Sequence, residues 1–231
     1  MPTYLPLILF FATIAVSVWA SWRVRSQFNR WNQVPVWSRL SGADAARRIL
    51  RDAGIHDVDV VPVAGTLTDH YDPRQKVLAL SEPVFAGRSV AALGVAAHEA
   101  GHAIQHARHY APLRWRMAAV RTTATASWMA MLAPIALGMM GHLFLGLWLA
   151  TIGLGIIMLF NLVTLPVEFD ASRRAKQVLA HSGMVSPGDE ARGVSQVLNA
   201  AGLTYVAAFL SSLAWFLMRL VELTGLQSRE E

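Results

Sequence analysis

Four apolar runs alternate with polar stretches along the chain. LPLILFFATIAVSVWASW (residues 5–22), a run over 122–140, LFLGLWLATIGLGIIMLFNLVTL (143–165) and LTYVAAFLSSLAWFLMRLVEL (203–223) each reach or approach the ~20 residues a helix needs to cross a bilayer. Pro134 predicts a kink in the second run. Only Gly141 and His142 separate that run from the third, so the two are expected to form a tight helical hairpin. The first run has no basic segment before it and is followed by Arg23, Arg25 and Arg30. It therefore reads as a retained anchor rather than a cleaved signal peptide.

Two polar stretches remain, 23–117 and 166–202. In the first, Ser41 with Asp44 three residues on opens SGADAARRILRDAG, an amphipathic helix closed by Gly54. VDVVPV (58–63) and KVLAL (76–80) read as strands, with YDPR (71–74) as a turn. A helix rich in small residues is expected over 88–108. In the second stretch, VEFDASRRAKQVLAHSG forms a helix ending near Gly183, and SPGDEARGVSQVLNAAG forms another, with Ser186 as cap and Pro187 at its first position.

Composition supports the membrane reading: 54% of the 231 residues are hydrophobic and only 15% are charged. The net charge of +5 does not indicate nucleic-acid binding, because no basic motif with interleaved aromatics occurs. Instead the charge follows topology. Of the 20 Lys and Arg residues, 13 lie in 23–117 and 4 in 166–202, while the two termini and the hairpin turn hold only Arg229. An even number of crossings separates the two polar stretches, so both face the same side, and the excess of basic residues puts that side in the cytoplasm with both termini outside. The eight tryptophans, several near span ends such as Trp19, Trp22 and Trp115, fit interfacial anchoring.

The first polar stretch carries AAHEAGHAIQH, residues 96–106. On a helix His98 and His102 share a face, so two imidazole nitrogens can reach one Zn(II). Glu99 is rotated about 100 degrees from His98, off the metal but near enough to hold a water beside it and take its proton as that water attacks a carbonyl. Cysteine is absent, so any metal rests on histidine and carboxylate.

A catalytic zinc needs a third protein ligand and an open position. His106 lies about 12 Å along the helix from His98 and cannot share the ion. The metzincin pattern requires Gly and His where this chain has Gln105 and Arg108, which excludes that class. The remaining arrangement is a carboxylate on another helix. Glu168, where the chain leaves the third run, is favoured; Asp170, about 200 degrees around the helix, is its rival.

The strings YDPRQKVLALSEPVF, SVAALGVAAHEAGHAIQH, LPVEFDASRRAKQVL and VLNAAGLTYVAA together resemble the YugP-type membrane zinc metallopeptidases over most of the chain. The resemblance implies a zinc peptidase with His98, His102 and Glu168 as ligands and Glu99 as general base, in a multi-pass protein of the prokaryotic plasma (inner) membrane. In the distantly similar HtpX-type gluzincins, the third-ligand glutamate is followed four residues on by an aspartate that supports the histidines. Here that position is Ser172, and Asp170 is the nearest carboxylate that could substitute.

The expected fold is thus a mainly α membrane protein, with four transmembrane helices and a zincin-like α+β cytoplasmic catalytic domain. Its divisions are a first transmembrane helix (1–22), a catalytic region (23–117), a transmembrane hairpin (118–165), a helical region with the third ligand (166–202), and a fourth transmembrane helix with a short tail (203–231). One Zn(II) per chain is the expected cofactor. A protein or peptide substrate and the lipid bilayer are the expected partners. Tyr205 and His70 are weaker candidates for stabilising an oxyanion, and KVLAL is a candidate edge for pairing with an extended substrate. Two rival functions are an intramembrane site-2-type protease, whose HExxH lies inside an apolar span, and a non-catalytic zinc-containing membrane scaffold. The polar residues around the motif count against the first. The intact Glu99 counts against the second, since a structural zinc needs no base.

Overall fold

The capping residues at 41–44 act as expected. The Ser41 side chain accepts from the Asp44 backbone while the Asp44 carboxylate accepts from the Ser41 backbone, a reciprocal box that opens a helix over Gly42–Asp52. In the computed structural model, which describes residues 4–227, this is the second of seven helices among the described residues. The helices are α1 (Leu5–Asn32), α2 (Gly42–Asp52), α3 (Glu82–Phe85), α4 (Val90–Ala107), α5 (Ala111–Met139), α6 (Leu143–His181) and α7 (Asp189–Gln227). The strands are β1 (Asp59–Val63), β2 (His70–Asp72) and β3 (Val77–Ser81).

These elements form two compact units. One contains α1 from Ala20 onward, everything from there to Leu113, and Pro166–Leu203. Its sheet has the order β1-β3-β2. β1 runs parallel to β3 with Asp59 opposite Val77, and β2 runs antiparallel with His70 opposite Ala79. KVLAL is therefore the central strand and not an edge; the edges are β1 and β2. β1 contains Pro62, a residue suited to an edge because it cannot donate to a ladder.

Helix α4 is the centre of this unit. Ser89 caps it, accepting from the Ala92 amide at 3.1 Å. All its residues except Val95, His106 and Ala107 are buried, as befits a helix apolar all round. Its alanines and glycines let neighbours approach closely, and Leu78, Leu80, Val84, Leu93, Leu179 and Leu198 pack into the same core.

The other unit comprises α1 up to Trp19, Arg114–Leu165, and α7 from Thr204. The hairpin between α5 and α6 turns at Gly141, whose φ of +84° suits glycine. The two helices touch through small residues: a Cβ on Gly153 would lie 2.6 Å from the Ala126 carbonyl oxygen. Asn161 Nδ2 donates to Ser212 Oγ at 3.0 Å, tying α6 to α7. Trp215 Nε1 donates to Thr13 Oγ1 at 3.4 Å, tying α7 to α1.

Among the described residues α1, α6 and α7 are long and apolar enough to cross a membrane. α5 is a helix of 29 residues, but it is diluted by Ala, Thr and Ser and carries Arg114, Arg116 and Arg121. Two helix pairs expected as separate elements are fused. α6 runs through Pro166, which forfeits one backbone hydrogen bond. α7 runs through Gly202, which costs only about 1 kcal/mol relative to alanine. Pro187 is not the first position of α7: Gly188 has a φ of +100°, incompatible with a helix, and the helix starts at Asp189.

Candidate metal centre

Helix α4 brings His98 and His102 onto one face, and α6 crosses α4 there. The crossing is close because Gly101 faces Ala171: a Cβ on Gly101 would sit 2.9 Å from the Ala171 carbonyl oxygen and 3.3 Å from its Cα. Glu168, one turn back along α6, is thereby set against both histidines. Its Oε2 lies 3.2 Å from His98 Nε2 and 3.5 Å from His102 Nε2. One donor atom from each residue falls within 4.8 Å of the others. Adjacent donors around a tetrahedral zinc, with bonds of about 2.0–2.2 Å, stand roughly 3.3–3.5 Å apart. The two separations from Glu168 match that spacing, and two imidazoles with a carboxylate are a donor set suited to zinc.

The three groups are almost fully enclosed, with Glu168 at 2% exposure. Burial acts to raise the Glu168 carboxyl pKa, but hydrogen bonds from His102 and His98 outweigh it and hold the group well below the usual carboxylate range. Burial likewise acts against a charged His102, and the Glu168 contact outweighs it, raising the imidazole.

The second nitrogens of both rings are held. His98 Nδ1 lies 3.1 Å from Ser172 Oγ, and His102 Nδ1 lies 3.0 Å from Gln105 Oε1. Gln105 Nε2 in turn donates to the Val167 carbonyl at 2.8 Å and to Asp170 Oδ2 at 2.9 Å. The resemblance to the gluzincins points to position 172 as the histidine-supporting one, filled here by Ser172, whereas the role of Gln105 was missed. The available signal was spacing, since Gln105 is one turn beyond His102 and Ser172 one turn beyond Glu168.

Glu99 sits beside the first histidine, buried at 8% exposure, with no hydrogen bond or ion pair given to its carboxylate by any described residue. Asp170 is not part of the clustered donors. It pairs with Arg173 and, at 2.5 Å, with Arg174, so the Glu168 rival is engaged elsewhere. His106 is also engaged: its Nδ1 lies 2.9 Å from the Tyr71 hydroxyl. His70 is exposed on β2, its Nδ1 2.9 Å from the Thr68 carbonyl. Tyr205 lies half-buried on α7. Helix α4 is not among the three helices able to cross a membrane, unlike the motif-bearing span of a site-2-type protease.

Apolar helices long enough to cross a membrane and a buried His-His-Glu group that could hold a metal ion agree with what sequence comparison finds. The chain belongs to the family described as "putative neutral zinc metallopeptidase", whose model matches residues 6–224. It is similar to a protein of Bacillus subtilis (strain 168) described as "Putative membrane protease YugP", with 47% identity over 207 residues, covering 87% of this chain and 89% of the relative. No solved structure matches the chain.

Proposed function

We propose that the protein is a zinc-dependent peptidase of the membrane, hydrolysing peptide bonds of membrane or membrane-proximal proteins at the cytoplasmic face. The observation that carries this reading is the convergence of His98, His102 and Glu168 on one point beside the buried, unengaged carboxylate of Glu99. The two Nε2 atoms and the Glu168 carboxylate would hold one zinc per chain. When bound, zinc supplies Lewis acidity that polarises a scissile carbonyl and makes water a better nucleophile. Glu99 takes the proton of the attacking water and returns it to the leaving amine. Ser172 and Gln105 keep the ring planes of His98 and His102 fixed, and Asp170, paired with its arginines, supports Gln105. β2 is an edge strand that packs on α4, and its open side offers backbone groups with which an extended peptide can pair.

Purified in detergent, the protein is expected to carry about one Zn(II) per chain and to lose peptide cleavage when a chelator strips it. A His98→Ala, His102→Ala double variant should carry none. Full zinc content in that variant, measured by elemental analysis, would remove the assignment.

The topology reading adds α5 as a fourth span, with α5 and α6 as a transmembrane hairpin and residues 23–117 and 166–202 as the zincin-like cytoplasmic region. It is supported by the concentration of Lys and Arg in those stretches. A reporter at residue 231 should label from outside the cell, and one inserted near Gly65 from the cytoplasm. The opposite pattern would reverse the orientation and change the pool of substrates.

A further inference from the structure

Gln105 is completely buried, at 0% exposure, and every polar group on its side chain is used. An amide can be turned over, exchanging oxygen and nitrogen, and the choice rests on its neighbours. Here the neighbours leave one answer. Two pure acceptors, the Val167 carbonyl and the Asp170 carboxylate, stand 2.8 and 2.9 Å from one end of the amide, so that end must be the NH₂ donor. The other end is then the oxygen, and it faces His102 Nδ1 at 3.0 Å. An oxygen there can only accept, so Nδ1 must carry the proton and Nε2, which faces Glu168, is the nitrogen whose lone pair is free in the neutral ring.

We propose that Gln105 is a positioning residue that fixes the tautomer and ring orientation of His102, and that Asp170 and the Val167 carbonyl act through it by fixing which way the amide points. The proposal rests on the metal-site reading above and adds a role to residues that touch neither metal nor substrate. Asp170 is thereby kept one side chain away from the imidazole. A neutral amide, and not a carboxylate, meets His102, while the Asp170 charge is matched by Arg173 and Arg174. His98 is held differently, by the Ser172 hydroxyl, which can donate or accept and so imposes no tautomer by itself.

The test uses the full-length protein in detergent, loaded with Co(II) in place of zinc, together with zinc affinity from chelator competition. A histidine bound through Nε2 keeps an exchangeable Nδ1–H, visible as a shifted proton resonance next to Co(II). Wild type should show two such resonances. Gln105→Leu should lose or broaden the one from His102 and weaken zinc binding by about 10- to 100-fold, the usual cost of removing a partner of a metal-bound histidine.

Gln105→Glu keeps an acceptor for His102 but sets a second carboxylate against Asp170 and the Val167 carbonyl, and should bind zinc as poorly. Adding Asp170→Asn to it supplies a donor to one side of the new carboxylate while the Val167 carbonyl stays unsatisfied, and should recover part of the lost affinity and the His102 resonance, a rescue that loss of packing cannot produce. Wild-type affinity and two resonances in Gln105→Leu would overturn the proposal, as would a double variant no better than Gln105→Glu alone. Wild-type protein that takes up no Co(II) would instead defeat the metal reading itself.

Discussion

Glu99→Gln is expected to retain its zinc and its fold and to lose peptide cleavage by about 10² to 10⁴-fold, the range attributed to a positioned general base. The separation of the two properties follows from geometry. His98, His102 and Glu168 supply the clustered donor atoms, and Glu99 does not belong to that cluster. Its carboxylate is buried at 8% exposure without a hydrogen bond or ion pair from any described residue, so replacing it by an amide of nearly the same size breaks no structural contact. What the amide cannot do is accept a proton from water at neutral pH. Equal zinc content with cleavage at the wild-type rate would defeat the peptidase mechanism, and the same measurement separates a peptidase from a zinc-containing scaffold.

The part of this site most plainly written in the sequence lies within one element, with Glu168 pointed to as a carboxylate on a second helix. His98, Glu99 and His102 depend only on helical periodicity, and α4 forms because small residues and a Ser89 cap favour it. The Ser41 and Asp44 box and the turn at Gly141 are local in the same sense. The partners of the histidines are another matter. Ser172 reaches His98, and Gln105, a neighbour of His102 on α4 itself, finds its anchors at Val167 and Asp170, only because α6 crosses α4 at Gly101 and Ala171, a fact about two segments 70 residues apart.

The strand β2 was hidden for a different reason. It has three residues, too few to show an alternating pattern, and two of them, Tyr71 and Asp72, belong to the YDPR stretch read as a turn, whose turn proper follows at 73–76. Without β2, KVLAL had the character of an edge; with it, that strand becomes central and gains a partner on each side. The breaks expected at Pro166 and Gly202 weighed residue propensity above helix continuity. Both helices nonetheless continue through these positions, since one lost hydrogen bond and one flexible residue cost a long helix little beside its other backbone bonds.

Glu168→Gln should cost the protein its metal, while Asp170→Asn should cost it much less. Glu168 Oε2 is the only carboxylate oxygen within 3.5 Å of both histidine Nε2 atoms among the described residues. Its replacement removes the one negative charge in the donor cluster and substitutes a weaker ligand, so zinc affinity should fall by more than the roughly 10- to 100-fold that a supporting partner contributes, with activity partly restored by added zinc. Asp170 is paired with Arg173 and Arg174 and accepts from Gln105. Asparagine retains an oxygen that can accept from Gln105, so the support for His102 survives, and the loss should stay within about 10-fold. Chelator competition on the two purified variants decides between the carboxylates: zinc kept in Glu168→Gln and lost in Asp170→Asn would exchange their roles, and with them the face of α6 that completes the site.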